Sequence, residues 1–337
     1  MIRLPAHAVQ RLRPFYEGRR CLITGGAGFI GGHLADALLG LGASVAVIDD
    51  LSNAAPDHLA ELVELEPERV RVVYASILDP DGLADAIDGA DRVFHLAAVG
   101  SVQRSIEDPE RAWLVNATGT LRVLQAARAA GSGRVVLAAS SSAYGDTTQL
   151  PTPETVRPSP RSPYAASKVA AEQLLGAWSR TYGLSTVALR FFNIFGPRQQ
   201  ADSAYAAVVA AFAQRLLAGQ RPLIYGDGSQ SRDFTHVSNA VLAALLAGAC
   251  SVPLAGEICN VAVGERTSVN ELARLMARAL HADGLEPIHE QRRPGDVQHS
   301  HADLTRTREL LGYQPCTTVA EGLEDTLRWY KQTLPAS

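Results

Sequence analysis

The chain has 337 residues, a formal net charge of −4 and a mean hydropathy of +0.01. That length exceeds what one small core organises, so one large or two closely packed domains are expected. The charge balance excludes the basic surplus of a nucleic-acid binder, and every apolar run breaks before the ~18 residues a membrane helix needs.

The first twenty residues carry Arg3, Arg11, Arg13, Arg19 and Arg20 but no apolar stretch. This predicts a short amphipathic helix on the domain and no secretory leader. Cys21, Cys250, Cys259 and Cys316 are scattered with no C-x-x-C pair. They read as reduced structural thiols of a cytoplasmic protein. His299-Ser300-His301 has no carboxylate or thiolate cluster beside it, so no metal site is expected.

Short Val- and Ile-rich runs at 21–24, 44–49, 70–75, 92–97, 134–139 and 186–192 alternate with helical patterns. Continuous apolar runs of this length are strands buried on both faces, and the helices between them imply right-handed crossovers. The fold class expected is α/β, a Rossmann-like doubly wound parallel sheet over 1–194. Residues 195–337, with shorter strand segments, predict a smaller C-terminal α/β substrate lobe. Segments near 230–262 are expected to return to the first domain. The run 150–163 holds five prolines between two motif-bearing segments and is expected to wrap the rim of a site.

The first strand runs into "TGGAGFIGGH", which sets Gly25, Gly28 and Gly31 at a strand end and the opening of a helix that includes Phe29 and Ile30. Such a turn lets backbone N–H groups and the helix dipole approach a pyrophosphate. The next strand ends in Asp49, where a carboxylate accepts both hydroxyls of an adenosine ribose and repels a 2′-phosphate. NAD is therefore favoured over NADP. Further on, "SPYAASK" places Tyr164 and Lys168 one turn apart on a helix. A phenol titrates near ~10 and acts as a base at neutral pH only if its anion is stabilised, which a lysine and a positive nicotinamide ring together would do.

With "HLAA" (95–98), Asn116 in "NATGT", the serine run 140–142, "LRFFNIFGPRQ" (189–199), "GDGSQSRDFTHV" (226–237) and "RRPGDVQHSHAD" (292–303), nearly the whole chain resembles the extended short-chain dehydrogenase/reductase family, in particular its nucleotide-sugar epimerases. The resemblance implies that Ser140, four residues before Tyr144, is the strand-end hydroxyl acting with Tyr164 and Lys168. It implies tightly held NAD+ contacting Asp50, Ser52, Asn53, Ser76, Ile77, Leu96, Ala97, Ala98, Asn116 and Phe191. For a UDP-sugar it implies contacts with Ser101, Ser141, Ser142, Asn193, Ala207, Val208, Leu223, Tyr225, Arg232, Arg293, Asp296 and Ser300. A homodimer through helices near 112–130 and 164–180 is expected from the same source.

Three departures refine that picture. Ser141 and Ser142 stand where related 4,6-dehydratases carry Asp and Glu, so hydride transfer and its reversal are expected without elimination of water. Ser300 replaces a bulky Tyr and leaves room for a 2-acetamido group. Asn193 and Gln200 replace the Thr and Arg of uronate epimerases. The expectation is 4-epimerisation of UDP-GlcNAc/UDP-GalNAc through a 4-keto sugar, with UDP-glucose/UDP-galactose or UDP-glucuronate as alternatives. Ser76, in place of an adenine-facing Asp, and Gly100, in place of a Lys, are the remaining departures. A non-catalytic sensor of NAD or sugar nucleotide is the alternative from another class, and the presence of Ser140, Tyr164 and Lys168 speaks against it.

Overall fold

The computed structural model describes residues 4–200, 207–292 and 297–333. Seven parallel strands form its centre: β1 (Arg20–Thr24), β2 (Ser44–Asp49), β3 (Val70–Tyr74), β4 (Arg92–His95), β5 (Arg134–Ser140), β6 (Thr186–Phe191) and a seventh from far along the chain, Ala255–Val261. Across the sheet the order runs from the seventh strand through β6, β5, β4 and β1 to β2 and β3. The chain therefore leaves β1 toward β2 on one side and returns to β4 on the other. A crevice opens at that reversal, above the carboxyl ends of β1 and β4, which is where open α/β sheets bind ligands.

Both faces of the sheet are covered, which explains the unbroken apolar runs. One face packs on the helices Phe29–Gly40 and Val237–Ala249, the latter almost wholly buried. The N-terminal helix Ala6–Tyr16 seals that layer, with the Tyr16 hydroxyl donating to the Leu245 carbonyl at 2.7 Å. The other face buries Leu83, Val123, Leu124, Ala171 and Leu175, from three helices. A third core, around Phe212, Leu272, Met276 and Leu327, belongs to the lobe built on the helices Val208–Leu217, Val269–Ala279 and Val319–Thr333.

The lobe is fastened to the sheet by a buried carboxylate. Asp233 accepts from the backbone N–H groups of Val263 (3.1 Å), Gly264 (3.2 Å) and Ala302 (3.2 Å), and so joins three chain segments. Burial lifts its carboxyl to about 6, against the opposing pull of those N–H donors. An orphaned buried donor costs about 1–3 kcal/mol. Asp233→Ala should therefore destabilise the protein by roughly 3 kcal/mol, read as a fall of several degrees in Tm.

Candidate active site

Each element that frames the crevice ends where it does for a local reason. Gly25 adopts φ +73°, and a Cβ there would lie 2.7 Å from the Ala97 nitrogen at the end of β4. A Cβ on Gly31 would lie 2.3 Å from the Gly25 carbonyl, so the helix that follows can approach the turn this closely only without a side chain. Asp49 closes the loop from the second strand, accepting from Ala27 N–H at 3.0 Å and Leu51 N–H at 2.9 Å. Its carboxyl is raised from the ordinary value, first by burial, with the two N–H donors working against that rise. These groups fit a dinucleotide: a helix N-terminus with no side chains in the way, and an acid one strand further on.

The helix Pro163–Tyr182 begins at Ser162, whose hydroxyl accepts from Ala165 N–H at 3.1 Å, and Pro163 takes the first turn. Ser105 Oγ accepts the N–H of Tyr164 at 3.0 Å, and the helix ends at Gly183 with φ +72°. This start places Tyr164 and Lys168 against the end of β5. Lys168 is buried and donates from Nζ to the Ala138 carbonyl at 2.9 Å, with Nζ 6.0 Å from the centre of the Tyr164 ring. Burial depresses the ammonium to about 8, and Glu172, one turn on, acts to raise it. Burial likewise pushes the Tyr164 phenol up, with a hydrogen bond from Ser140 pulling the other way. Burial thus favours the protonated phenol at neutral pH.

Ser140 ends β5 and caps a short 3-10 turn over Ser141–Tyr144. Its Oγ accepts from the Ser142 N–H at 3.2 Å and from the Ser142 hydroxyl at 2.9 Å. With both acceptor positions filled from Ser142, the hydrogen of Ser140 is left to donate toward Tyr164 or a ligand oxygen. Ser142 thus orients the Ser140 hydroxyl, a relation that spacing along the chain does not reveal.

Behind this wall lies His95, buried and held near 3 by burial first and by Lys168 second. Thr120 donates its hydroxyl hydrogen to the Asn116 carbonyl at 2.6 Å, so the His95 Nε2 contact at 2.9 Å has the ring as donor. Nδ1 then accepts from Thr24 Oγ at 2.7 Å. The ring is a neutral spacer beneath the cofactor crevice.

One cavity of about 1910 Å³ runs from Asp49 and Asp50 past the glycine turn to Arg232 and Ser300. A single drug-sized ligand takes ~300–1,000 Å³, so two ligands have room end to end. Of the residues expected from the sequence, Phe29, Ile30, Ser52, Asn53, Ser76, Ile77, Leu96, Ala97 and Ala98 line the dinucleotide end. Ser101, the three serines, Tyr164, Lys168, Phe191, Asn193 and Ala207 line the remainder.

Four of the residues expected to contact a ligand, Asn116, Val208, Leu223 and Tyr225, do not line the cavity formed by the described residues. Asn116 sits in a π-helical turn, exchanging hydrogen bonds with Val99 and donating to Ser167 Oγ at 3.0 Å, and so braces the site from behind the cavity wall. Val208, one residue past the cavity-lining Ala207, turns into the lobe core. Leu223 and Tyr225 are tied into a two-stranded ribbon with Ile288–Glu290 and do not line the cavity formed by the described residues. Arg293 and Asp296 lie outside the described residues. In turn the sequence reading missed Arg104, Arg161, Phe192 and His299 on the cavity wall. His299 and His301 diverge, to Ser231 Oγ (2.8 Å) and the Gly264 carbonyl (3.1 Å), and no metal-ligand cluster occurs among the described residues.

A family profile described as the NAD dependent epimerase/dehydratase family matches residues 21–262. The chain belongs to that family. It is an NAD-dependent enzyme, and the geometry of the glycine turn with Asp49 fits a dinucleotide. A UDP-glucose 4-epimerase of Mycolicibacterium smegmatis is 40% identical over 315 residues, 93% of this chain and 98% of that protein. Among solved structures, a UDP-N-acetylglucosamine 4-epimerase from Methanobrevibacter ruminantium, in complex with UDP-N-acetylmuramic acid, superposes with a TM-score of 0.89 at 34% identity, covering 94% of this chain and all of that one. The UDP-glucose 4-epimerase of Thermotoga maritima, with UDP-glucose, gives 0.88 at 35% identity and the same coverage.

The crowding at Gly31 makes a direct prediction. Gly31→Ala should leave a folded protein that retains less than about a tenth of the wild-type bound NAD, measured by absorbance after denaturation.

Proposed function

We propose that this enzyme is an NAD-dependent UDP-hexose 4-epimerase whose principal pair is UDP-GlcNAc and UDP-GalNAc. The observation that carries the reading is the convergence of Ser140, Tyr164 and Lys168 on one stretch of a cavity large enough for two nucleotides, with hydroxyls and no carboxylate in the serine turn. Elimination of water needs a second acid–base pair beside the tyrosine, and Ser141 and Ser142 do not supply one.

Bound NAD+ supplies the hydride acceptor, and then the donor, for carbon 4. The chain does the rest. Ser140 donates to the oxygen on carbon 4, Tyr164 takes the proton of the 4-hydroxyl and later returns it, and the Lys168 ammonium favours the phenolate. Arg232 stands at the far end of the cavity as the cationic partner for the diphosphate, with guanidinium geometry suited to two oxygens at once. Gripped there, the diphosphate leaves the sugar ring free to turn its other face.

The substrate pair rests on Ser300, a small residue on the cavity wall where a Tyr would fill the space beside carbon 2. Relatives named for UDP-glucose and for UDP-N-acetylglucosamine both stand close to this chain, so UDP-glucose/UDP-galactose is the second reading. We further assign the helices that leave Trp113 51%, Leu114 42% and Tyr182 46% exposed to a homodimer contact, as large apolar side chains are costly to leave in water.

Incubation without added cofactor, with UDP-GlcNAc, UDP-Glc and UDP-GlcA in separate tubes, should give carbon-4 epimers by anomeric proton NMR, fastest from UDP-GlcNAc. Turnover of UDP-GlcA alone would overturn the substrate choice, and a released 4-keto-6-deoxy sugar would overturn the reaction type. Tyr164→Phe should lower kcat by ~100-fold or more. Because Lys168 acts as a cation and loses its proton near 8, kcat should decline as pH rises through about 8.

A further inference from the structure

Behind the active-site wall lies an ion pair that the proposed reaction does not use. Glu172 and Arg190 are both wholly buried, with Arg190 Nε donating to Glu172 Oε1 at 2.8 Å and Nη2 to Oε2 at 2.7 Å. Glu172 lies one turn beyond Lys168 on the helix Pro163–Tyr182, and two turns beyond Tyr164. Arg190 lies on β6 directly across from Ala139, so its neighbours on β5 are Ala138, which accepts from Lys168, and Ser140. The guanidinium also sits over the Tyr144 ring at 4.4 Å, and Tyr144 ends the serine turn with its hydroxyl donating to Asn260 Oδ1 at 2.7 Å. One guanidinium therefore joins the helix that carries Tyr164 and Lys168 to the turn that carries Ser140 and Ser142.

The charges make the arrangement informative. Burying a bare carboxylate next to a buried ammonium would normally produce a contact pair, with the lysine drawn away from the cavity. Here both oxygens of Glu172 are engaged by Arg190, and Lys168 Nζ takes the Ala138 carbonyl instead. The remaining groups facing the ammonium are Tyr164, with Ser140 hydrogen-bonded to it, and the neutral ring of His95 on β4. Glu172 is the one anion acting on Lys168, and it acts through space.

We propose that Glu172 and Arg190 are a positioning pair for the lysine: Arg190 occupies the carboxylate so that Glu172 keeps Lys168 cationic without capturing it, while the same guanidinium fixes the tyrosine–lysine helix against the serine turn. The inference rests on the epimerase reading for the role of Lys168. Its test does not, because the charge on the lysine is read directly.

Lys168 and Lys331 are the chain's two lysines. Protein grown on lysine labelled with 13C at Cε gives one line for each, assigned by Lys168→Met, with Lys331 as internal reference. The protein is titrated as purified, its bound dinucleotide quantified. In Glu172→Gln the Lys168 midpoint should fall by about one pH unit or more, because the anion is gone and the guanidinium is left alone. In Arg190→Met it should rise by a similar amount, because the released carboxylate closes on the ammonium. Both variants should lose roughly tenfold or more in kcat with KM for the UDP-sugar changed less than about threefold.

Opposite shifts from the two halves of one ion pair do not arise from general loosening. Should a single variant fail to fold, Glu172→Gln combined with Arg190→Met removes the pair in a charge-balanced way that buried sites tolerate well. Its Lys168 midpoint should lie below the wild-type value. A Lys168 midpoint unmoved in folded Glu172→Gln, or in the double variant, would overturn the proposal. An intact lysine response in a protein that epimerises nothing would instead count against the epimerase reading.

Discussion

The site depends on one costly placement, a lysine ammonium held inside the protein with a backbone carbonyl as its hydrogen-bond partner. Burial of that charge lowers its proton affinity to about 8, so the group is charged at neutral pH with little margin. The same dry surroundings hold the Tyr164 phenol above its ordinary value. Neither group is poised by itself. In the proposed reaction a positive nicotinamide ring would be a second cation facing Tyr164, beside Lys168, and would favour loss of the phenolic proton; the glycine turn and Asp49 fit that dinucleotide.

What the site does with that proton is set by the strand end opposite. Three hydroxyls crowd the turn after β5, and they are not equivalent: Ser142 fills the acceptor side of Ser140, and Ser140 then donates forward. A carboxylate at either of the two later positions would add a second acid–base group and open a route to elimination. With serines there, a proton and a hydride leave carbon 4 and come back to it. The parallel sheet makes this economical, since one cavity spans the crevice at the β1/β4 reversal, which suits a dinucleotide, and the ends of β5 and β6 beside it.

Much of this was legible in the amino-acid order because it is local. Strands buried on both faces read as apolar runs, the glycine turn is contiguous, and Tyr164 and Lys168 share a helix face at four-residue spacing. What escaped is relational. Asn116 looks like a cofactor ligand in its motif, yet its amide is consumed by Val99 and Ser167. Leu223 and Tyr225 sit in a strand-like run whose partner, Ile288–Glu290, is 65 residues away in the chain and cannot be foreseen from that run alone. Glu172 and Arg190 meet only because β6 lies beside β5 and the helix crosses both, a juxtaposition that a separation of eighteen positions conceals. Polar pairs formed by topology leave no periodic signal.

In the proposed reaction, hydride leaves carbon 4 and returns to the same carbon within one enzyme, with nothing eliminated. Substrate carrying deuterium at carbon 4, turned over in ordinary water with unlabelled NAD+, separates these outcomes. The product epimer should retain the deuterium at carbon 4 by NMR and mass spectrometry, with no hydrogen taken up from solvent there. Loss of the label to water, or deuterium appearing at carbon 6 of a 6-deoxy product, would contradict the account.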